Sequence, residues 1–193
     1  MKYEITSEVH PRFENLRRIR ALRDIPRHGV RTGDLGGYIE SEHNLSQDGD
    51  AWIADDARVF GNARVFGNAW VYRNARVSGK ALIYGDAHVF GEARVFDKAI
   101  VHGNAWVYRN ALVSEYVEVS GEACVSGRAY VSGRAYVSGK AQVSDNAIVY
   151  GNARVFDDAV VSGNAEVSGD ARVSGEAQVF GKASVSGDAR ISE

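Results

Sequence analysis

All three tryptophans of this chain fall on one evenly spaced series of positions, 52, 70, 88 and 106, and a histidine occupies the third position of the series. After two of the tryptophans, a tyrosine and an arginine follow in the same order. Exposed aromatic side chains in such number mark a contact surface, and an arginine beside them can bind an anion through paired hydrogen bonds. The sequence thus predicts a ligand or partner surface. Its residues are Trp52, Trp70, Tyr72, Arg73, His88, Trp106, Tyr108 and Arg109.

A second interpretation is open for the same residues. The aromatic side chains can form a ladder that packs against the N-terminal part of the chain or against another subunit, and aromatic residues are enriched in such interfaces. We favour packing of the ladder against another subunit over packing against the N-terminal part of the chain. The sequence therefore predicts a homo-oligomer that forms through a flat face of the molecule.

Arginines also recur at the interval that separates the tryptophan positions, at Arg58, Arg76 and Arg94. If these side chains stack on neighbouring strands, their stems lie roughly 4.8 Å apart. Like charges at that distance repel by about 1 kcal/mol in water. An anionic ligand would relieve the repulsion, and so would acidic residues nearby in the chain. The three arginines are therefore candidate binding residues, and the phosphates of a nucleotide or of coenzyme A are candidate anions.

The residue types needed for catalysis are sparse. The repeated part of the chain contains two histidines, His88 and His102, and no insertion that could form a catalytic loop around either. A zinc site of the carbonic-anhydrase type needs several histidines close together, and His88 and His102 do not supply them. Nothing near Cys124 marks it as an activated thiol. The sequence therefore assigns no catalytic residue, no metal ligand and no cofactor.

A repeat of six residues must position all of these side chains. From position 51 onwards every sixth residue is alanine, except for Val117, and from position 53 every sixth residue is valine or isoleucine. Residues two apart on a strand point to the same side, so alanine and valine face one interior. The glycine that usually follows two places later suits a tight corner, because it adopts positive φ at little cost. Three such units close one triangular coil.

This motif, Val-x-Gly-(Asn/Asp)-Ala-x, resembles the hexapeptide repeat of left-handed β-helix proteins. The segment from Gly36 to Glu40 and the segment from Asn44 to Ile53 are similar to the N-terminal part of YdcK-like proteins and related prophage-encoded hexapeptide proteins. The resemblance implies an all-β fold, a single-stranded left-handed parallel β-helix of about eight 18-residue coils. It also implies a phage-related origin, and members with this repeat include trimeric acyltransferases that use acyl-coenzyme A.

The first fifty residues lack the regular repeat. Residues 2–6 and 16–22 are predicted strands, and the segment from Pro26 to Gly37 is a predicted loop. We expect a small N-terminal β-hairpin cap with a linker at residues 1–38 and the hexapeptide-repeat β-helix at residues 39–193. Leu45 falls on an alanine-type position in the six-residue register. The repeat continues to the end of the sequence, and the open C-terminal end is a second expected site of self-association.

Composition excludes several classes of function. The formal net charge is −2, so the sequence does not predict nucleic-acid binding. There is no apolar stretch long enough to span a membrane and no signal-peptide pattern, so a cytoplasmic location is expected.

Three functions follow, in order of preference. The first is a non-catalytic, rigid, self-associating β-helical scaffold or binding module. The second is a trimeric acyltransferase-like enzyme that uses acyl-coenzyme A, which the family resemblance implies. The third is a phage-borne binder of small anionic ligands.

Overall fold

The computed structural model describes residues 1–192 and is almost entirely β-structure. From Trp52 onwards a new strand of two or three residues begins at every sixth residue, and each strand pairs in parallel with the strand three units later. The chain therefore forms a β-solenoid of about nine turns. This confirms the predicted fold class, with eight regular coils that follow a first, irregular one.

Three parallel sheets form the sides of the solenoid. The strands of the aromatic face are Trp52–Ile53, Trp70–Val71, His88–Val89, Trp106–Val107, Cys124–Val125, Gln142–Val143, Val160–Val161 and Gln178–Val179. The strands of the arginine face are Arg58–Val59, Arg76–Val77, Arg94–Val95, Leu112–Val113, Tyr130–Val131, Ile148–Val149, Glu166–Val167 and Ser184–Val185. The strands of the mixed face are Arg64–Val65, Leu82–Ile83, Ile100–Val101, Glu118–Val119, Tyr136–Val137, Arg154–Val155, Arg172–Ser174 and Arg190–Ser192.

The interior holds only small and branched side chains. The alanine and the valine or isoleucine of each unit point inwards, and nearly all of them from Ala51 to Val173 are fully buried. Branched side chains suit this interior because their stiff χ1 packs well against the same residue type one coil away. Val117 replaces alanine and is accommodated without exposure.

Corners between the faces are left-handed turns. The second residue after each inward valine stands at positive φ, as at Gly67 (70°) and Gly85 (68°). A Cβ added at Gly85 would lie 2.9 Å from the backbone nitrogen of Gly103 in the next coil, so glycine also permits close stacking of corners. Seven residues other than glycine adopt the same conformation at corners, namely Asp55, Arg73, Asp97, Arg109, Glu115, Asp145 and Asp157.

The N-terminal residues form a hairpin that continues the arginine face. Strands β1 (Tyr3–His10) and β2 (Phe13–Ala21) pair antiparallel, and β2 pairs antiparallel with β3 (Leu35–Ile39). Strand β3 in turn pairs in parallel with Arg58–Val59. The predicted hairpin is present, but the predicted loop from Pro26 to Gly37 is wrong in its last three residues, which belong to β3. Among these residues, Gly36 and Gly37 permit close packing of a strand on the first regular coil rather than a turn.

Two short 3₁₀ turns, Pro26–His28 and Glu42–Asn44, complete the secondary structure of the described chain. Residues 1–192 contain no helical segment with the length and apolarity that a membrane span requires. The expected boundary between residues 38 and 39 falls within β3, which is bonded both to the hairpin and to the solenoid. The division into a cap and a repeat domain stays a prediction.

The first coil is two residues longer than the others. Ile39 pairs with Val59 and Leu45 bridges to Val65, both twenty residues on, whereas Trp52 pairs with Trp70 at the regular spacing. Leu45 therefore occupies a valine-type position, and its predicted alanine-type register is wrong. The extra residues lie in the segment 46–50, where the six-residue pattern is not yet established.

Two glycines let the hairpin pack directly on the first regular coil. A Cβ added at Gly36 would lie 2.6 Å from the carbonyl oxygen of Ile53 and 2.7 Å from Cζ2 of Trp52. A Cβ at Gly37 would lie 2.6 Å from the carbonyl oxygen of Ala57. Nearby, the buried Lys2 donates a hydrogen bond from Nζ to the carbonyl oxygen of Ala51 (2.7 Å), and burial lowers the pKa of Lys2 to about 8.

We expect Gly36→Ala to destabilise the protein by about 1–3 kcal/mol, because the added methyl group overpacks a site closed by backbone atoms. The thermal midpoint followed by circular dichroism measures the effect. Gly29→Asn is the control, since Asn tolerates positive φ and an added Cβ at Gly29 meets no atom within 4 Å. An unchanged midpoint in Gly36→Ala would show that the hairpin does not pack on Trp52 as described.

Candidate functional site

A column of aromatic rings runs along the aromatic face. Trp70, His88 and Trp106 are paired in register on successive strands, so their side chains must lie one above another. The centroids of the Trp70 and His88 rings are 5.9 Å apart in an edge-to-face arrangement, and those of His88 and Trp106 are 5.2 Å apart and stacked. The predicted alignment of these three side chains is present.

A second column stands beside it, on the corner that follows each strand. Tyr72, Phe90 and Tyr108 stack almost parallel, with centroid distances of 4.7 and 5.0 Å. The two columns touch, since the Trp70 and Tyr72 rings are 4.3 Å apart. Offset and edge-to-face aromatic pairs contribute about 0.5–1.5 kcal/mol each beyond burial, so the columns form a stiff plate. We call the six residues of the two columns the aromatic plate.

The N-terminal segment covers one end of the plate. The ring of His28 stacks on that of Trp70 at 4.9 Å, and Arg27 beside it forms an ion pair with Asp86. Trp52, one coil nearer the N-terminus, is 1% exposed and packs against the hairpin. Trp52 was predicted to belong to an accessible surface, but it lies in the core. Trp106 at the other end of the plate is 43% exposed.

The aromatic face is free of formal charge along its whole outward row, apart from the proton that His88 could bind. The arginine face carries four charged side chains in the equivalent row, and the mixed face carries five. Burial lowers the pKa of His88, and the neighbouring Arg27 lowers it further, so the imidazole is neutral at pH 7. Burial likewise lowers the pKa of His28. The outward row of the aromatic face is thus uncharged at pH 7.

Three ring nitrogens within this stack have no hydrogen-bond partner, namely His28 Nε2, Trp70 Nε1 and His88 Nδ1. Burying a polar atom without a partner costs free energy, on the order of 1–3 kcal/mol. The stack therefore holds together by ring packing and apolar burial rather than by hydrogen bonds.

The two arginines of the repeated octapeptide occupy corners beside the plate. Arg73 and Arg109 stand at positive φ (60° and 61°), where most corners have glycine. The guanidinium carbon of Arg73 lies 5.8 Å from the Phe90 ring centroid, and that of Arg109 lies 6.0 Å from the Tyr108 centroid. Both charges thus rest on aromatic faces as cation–π contacts, and each remains exposed to solvent.

The arginines of the arginine face lie beside Arg12, which was not among the predicted site residues. Arg58, Arg76 and Arg94 are stacked in register, and the hairpin turn brings Arg12 beside them. We call these four residues the arginine cluster. Arg58 is only 8% exposed, with its guanidinium carbon 5.2 Å from the Phe13 ring centroid. Burial lowers the pKa of Arg58, and the charges of Arg76, Arg12 and Arg94 act in the same direction.

Neither histidine of the repeat has the surroundings of a catalytic base. His102 Nε2 lies 3.0 Å from Glu118 Oε1, but this contact belongs to a structural series of pairs between a corner and a strand of the next coil, which includes Tyr150 with Glu166. Burial raises the pKa of Cys124, which disfavours the reactive thiolate. Within residues 1–192 no three His, Cys, Asp or Glu side chains lie close enough together to hold a metal ion.

A shallow groove of about 710 Å³ on the mixed face was not predicted. Its polar walls come from corners and strands of successive coils, and they combine arginines, tyrosines and acids. The lining residues are Tyr116, Glu118, Arg134, Ala135, Tyr136, Asn152, Arg154 and Asp170. Because opposite charges are interspersed along it, the groove shows no preference for a ligand of one sign.

Three stretches of the chain match a known protein family. Residues 57–73, 141–155 and 149–163 match the family described as YdcK Beta solenoid repeat. These three stretches are similar to the YdcK-type β-solenoid repeat. The matched stretches lie in the early and late coils, and the same six-residue pattern of corners and inward residues extends through the coils between them. Comparison with curated proteins gives no match.

Among solved structures, the chain is similar to LpxA from Acinetobacter baumannii. The sequence identity is 13% and the TM-score is 0.36, over 76% of this chain and 66% of that chain. The chain thus spans slightly less than two thirds of that protein's length. A likeness at this level says nothing about activity.

We expect acid to weaken the packing at the aromatic plate. An imidazole whose pKa is lowered in the folded state binds a proton more readily when unfolded, so stability falls as the pH drops below about 6.5. Because His88 is only half-buried, solvent screening keeps this loss of stability small. The thermal midpoint of His88→Gln should therefore decrease less than that of the wild type between about pH 7.5 and about pH 5.5.

His43→Gln is the matched control, because His43 is exposed and lies outside the plate. It should follow the wild-type curve. If His88→Gln also follows it, the imidazole of His88 is not desolvated in solution and the stack is looser than described.

Proposed function

We propose that this protein is a non-catalytic, rigid β-solenoid scaffold that self-associates through its aromatic face. The observation that carries the proposal is the uncharged outward row of this face, which contrasts with the charged rows of the other two. Interface cores are depleted of charged residues and enriched in aromatic ones. A second copy of the same chain fits such a surface, because two uncharged faces meet without repulsion.

The outward side chains on the accessible part of the aromatic face decrease in size after Trp106. Trp106 projects at 43% exposure, and the coils after it carry Cys124, Gln142 and Val160, whose side chains are smaller. In a two-fold pair the same patch serves both copies, so the large residue of one meets the small residues of the other. An axis between Cys124 and Gln142 brings Trp106 opposite Val160 of the second copy. The His28 segments then lie outside the contact at both ends.

The available area supports a weak association. In this arrangement six strands overlap, from His88–Val89 to Gln178–Val179, and at about 4.8 Å each they give a contact roughly 29 Å long and, with about five residues across, roughly 16 Å wide. The contact offers about 460 Å² per copy, or about 900 Å² in a pair, which is in the range of weak interfaces. Self-association of this kind is expected to depend on protein concentration.

The surroundings of His88, His102 and Cys124 support a non-catalytic role. His88 is neutral and has no carboxylate partner, His102 belongs to a structural pair, and the thiol of Cys124 is protonated. A rigid rod with periodic side chains is instead suited to binding another surface along its length.

Light scattering across a concentration series tests the proposal. The wild type should show a mass above 21.0 kDa that rises towards a dimer. Gln142→Lys places a charge at the centre of the face without disturbing the core, and Trp106→Ala removes the projecting ring. Each should weaken association by about tenfold or more, which corresponds to about 1.4 kcal/mol.

Ile148→Lys is the control, because Ile148 occupies the equivalent outward position one face along in the same coil and is 39% exposed. It should associate like the wild type. A wild type that stays monomeric at every concentration would sink the proposal, and so would a Gln142→Lys variant of unchanged mass. A fixed trimer that binds acetyl-coenzyme A in calorimetry would instead favour the acyltransferase alternative.

A further inference from the structure

The arginine cluster concentrates four positive charges around one cavity. Arg12, Arg58, Arg76 and Arg94 line a space of about 230 Å³, together with Asn74 and Glu92. Three of the arginines come from successive strands of the arginine face, and the turn between β1 and β2 supplies the fourth. The cavity thus lies at the junction between the hairpin and the solenoid.

None of the four guanidinium groups forms a direct ion pair within the described chain. In residues 1–192 no carboxylate oxygen lies within 4.0 Å of a guanidinium nitrogen of the cluster, whereas Arg18, Arg20, Arg23 and Arg27 all form such pairs. The Nε atom of Arg58 is buried and has no hydrogen-bond partner. The buried charge of Arg58 is costly, because the guanidinium loses hydration and its contact with the Phe13 ring offsets only part of that loss.

A second arginine ladder in the same chain is the natural comparison. Arg154, Arg172 and Arg190 are also stacked in register, on the mixed face. All three are exposed, so their guanidinium groups can separate into water. The ladder alone therefore does not make a site. The hairpin makes the difference, because it buries Arg58 beneath Phe13 and adds Arg12.

The charge balance indicates a dianion. Four arginines contribute four positive charges, and the two carboxylates that line the cavity and its extension, Glu92 and Asp56, contribute two negative ones. The remainder is two positive charges. A phosphate monoester carries about −1.5 to −2 charges at pH 7 and offers three acceptor oxygens. Planar guanidinium groups bind such oxygens in pairs of hydrogen bonds.

A second cavity adjoins the cavity of the arginine cluster and is lined partly by aromatic and apolar side chains. It measures about 400 Å³ and shares Arg12, Arg58 and Asn74 with the cavity of the cluster. Its other walls include the rings of His10 and Tyr38, which pack edge to face with centroids 4.7 Å apart. Pro11 completes an apolar and aromatic wall. Such a wall suits the organic part of a ligand whose charged group is held by the arginines.

We propose that the arginine cluster binds the phosphoryl group of a small organic phosphate, whose organic part lies against His10, Pro11 and Tyr38. The site does not depend on self-association, because it lies on the arginine face and within one copy of the chain. It accounts for the unfavourable burial of Arg58 beside three further arginines, of which Arg12 and Arg94 are exposed. It also gives the hairpin turn a binding role beyond covering the first coil.

Calorimetric titration at low salt tests the proposal with adenosine 5′-monophosphate, inorganic phosphate and adenosine. The monophosphate should bind most tightly, inorganic phosphate should bind more weakly, and adenosine should show no binding. Arg76→Gln and Arg12→Gln should each weaken binding of the monophosphate by about tenfold, since each removes charge-assisted hydrogen bonds. Arg172→Gln, in the exposed ladder, should bind like the wild type.

Circular dichroism of each variant separates lost binding from lost structure. Arg76 and Arg12 are not fully buried, so both variants should keep the wild-type spectrum. Their thermal midpoints should rise slightly without ligand, because each substitution relieves repulsion in the cluster. The proposal is overturned if neither phosphate compound binds the wild type, or if Arg76→Gln binds as tightly as the wild type. Equal affinity for adenosine and the monophosphate would likewise overturn it.

Discussion

The backbone ladder between successive coils is the constraint on which the rest of the molecule depends. The amide nitrogen of Arg94 donates to the carbonyl oxygen of Ala111, that of Trp106 donates to Ala123, and the pattern continues coil after coil at about 2.9 Å. Parallel strands of only two residues cannot be stable alone. They persist because every coil is bonded to the next and because the alanine and valine ladders fill the interior without a gap.

This ladder leaves the outward side chains little freedom in where they lie. Each stands directly above the residue one coil earlier, so the chemistry of the surface is arranged in columns. Columns of rings are favourable, as the stacking of Tyr72, Phe90 and Tyr108 shows. Columns of arginine are unfavourable unless the charges can spread or meet an anion. The same geometry thus produces a stiff apolar plate on one face and a concentration of positive charge on another.

The aperiodic N-terminal residues turn these uniform columns into distinct local environments. The segment at His28 covers Trp70 and leaves Trp106 open, which divides one aromatic column into a covered and an accessible part. The hairpin also divides the first arginine column, because Phe13 and Arg12 enclose Arg58 and leave Arg94 exposed. The arginines of the mixed face lack such a cover and remain solvated. Both candidate sites therefore combine a periodic column of side chains with an N-terminal segment that packs over part of it.

The sequence by itself determined the solenoid, the residues of its interior and the columns on each face, because a strict six-residue period leaves a single register in which alanine and valine are all buried. It also determined the alignment of Trp70, His88 and Trp106. Only the tertiary structure decided which members of a column are reachable. Trp52 is buried, Leu45 is shifted in register and Arg12 joins the arginines, and each depends on where residues far apart in the chain pack. Periodicity carries no information about contacts between the aperiodic hairpin and the coils, since those depend on close approach at Gly36 and Gly37 rather than on any repeat.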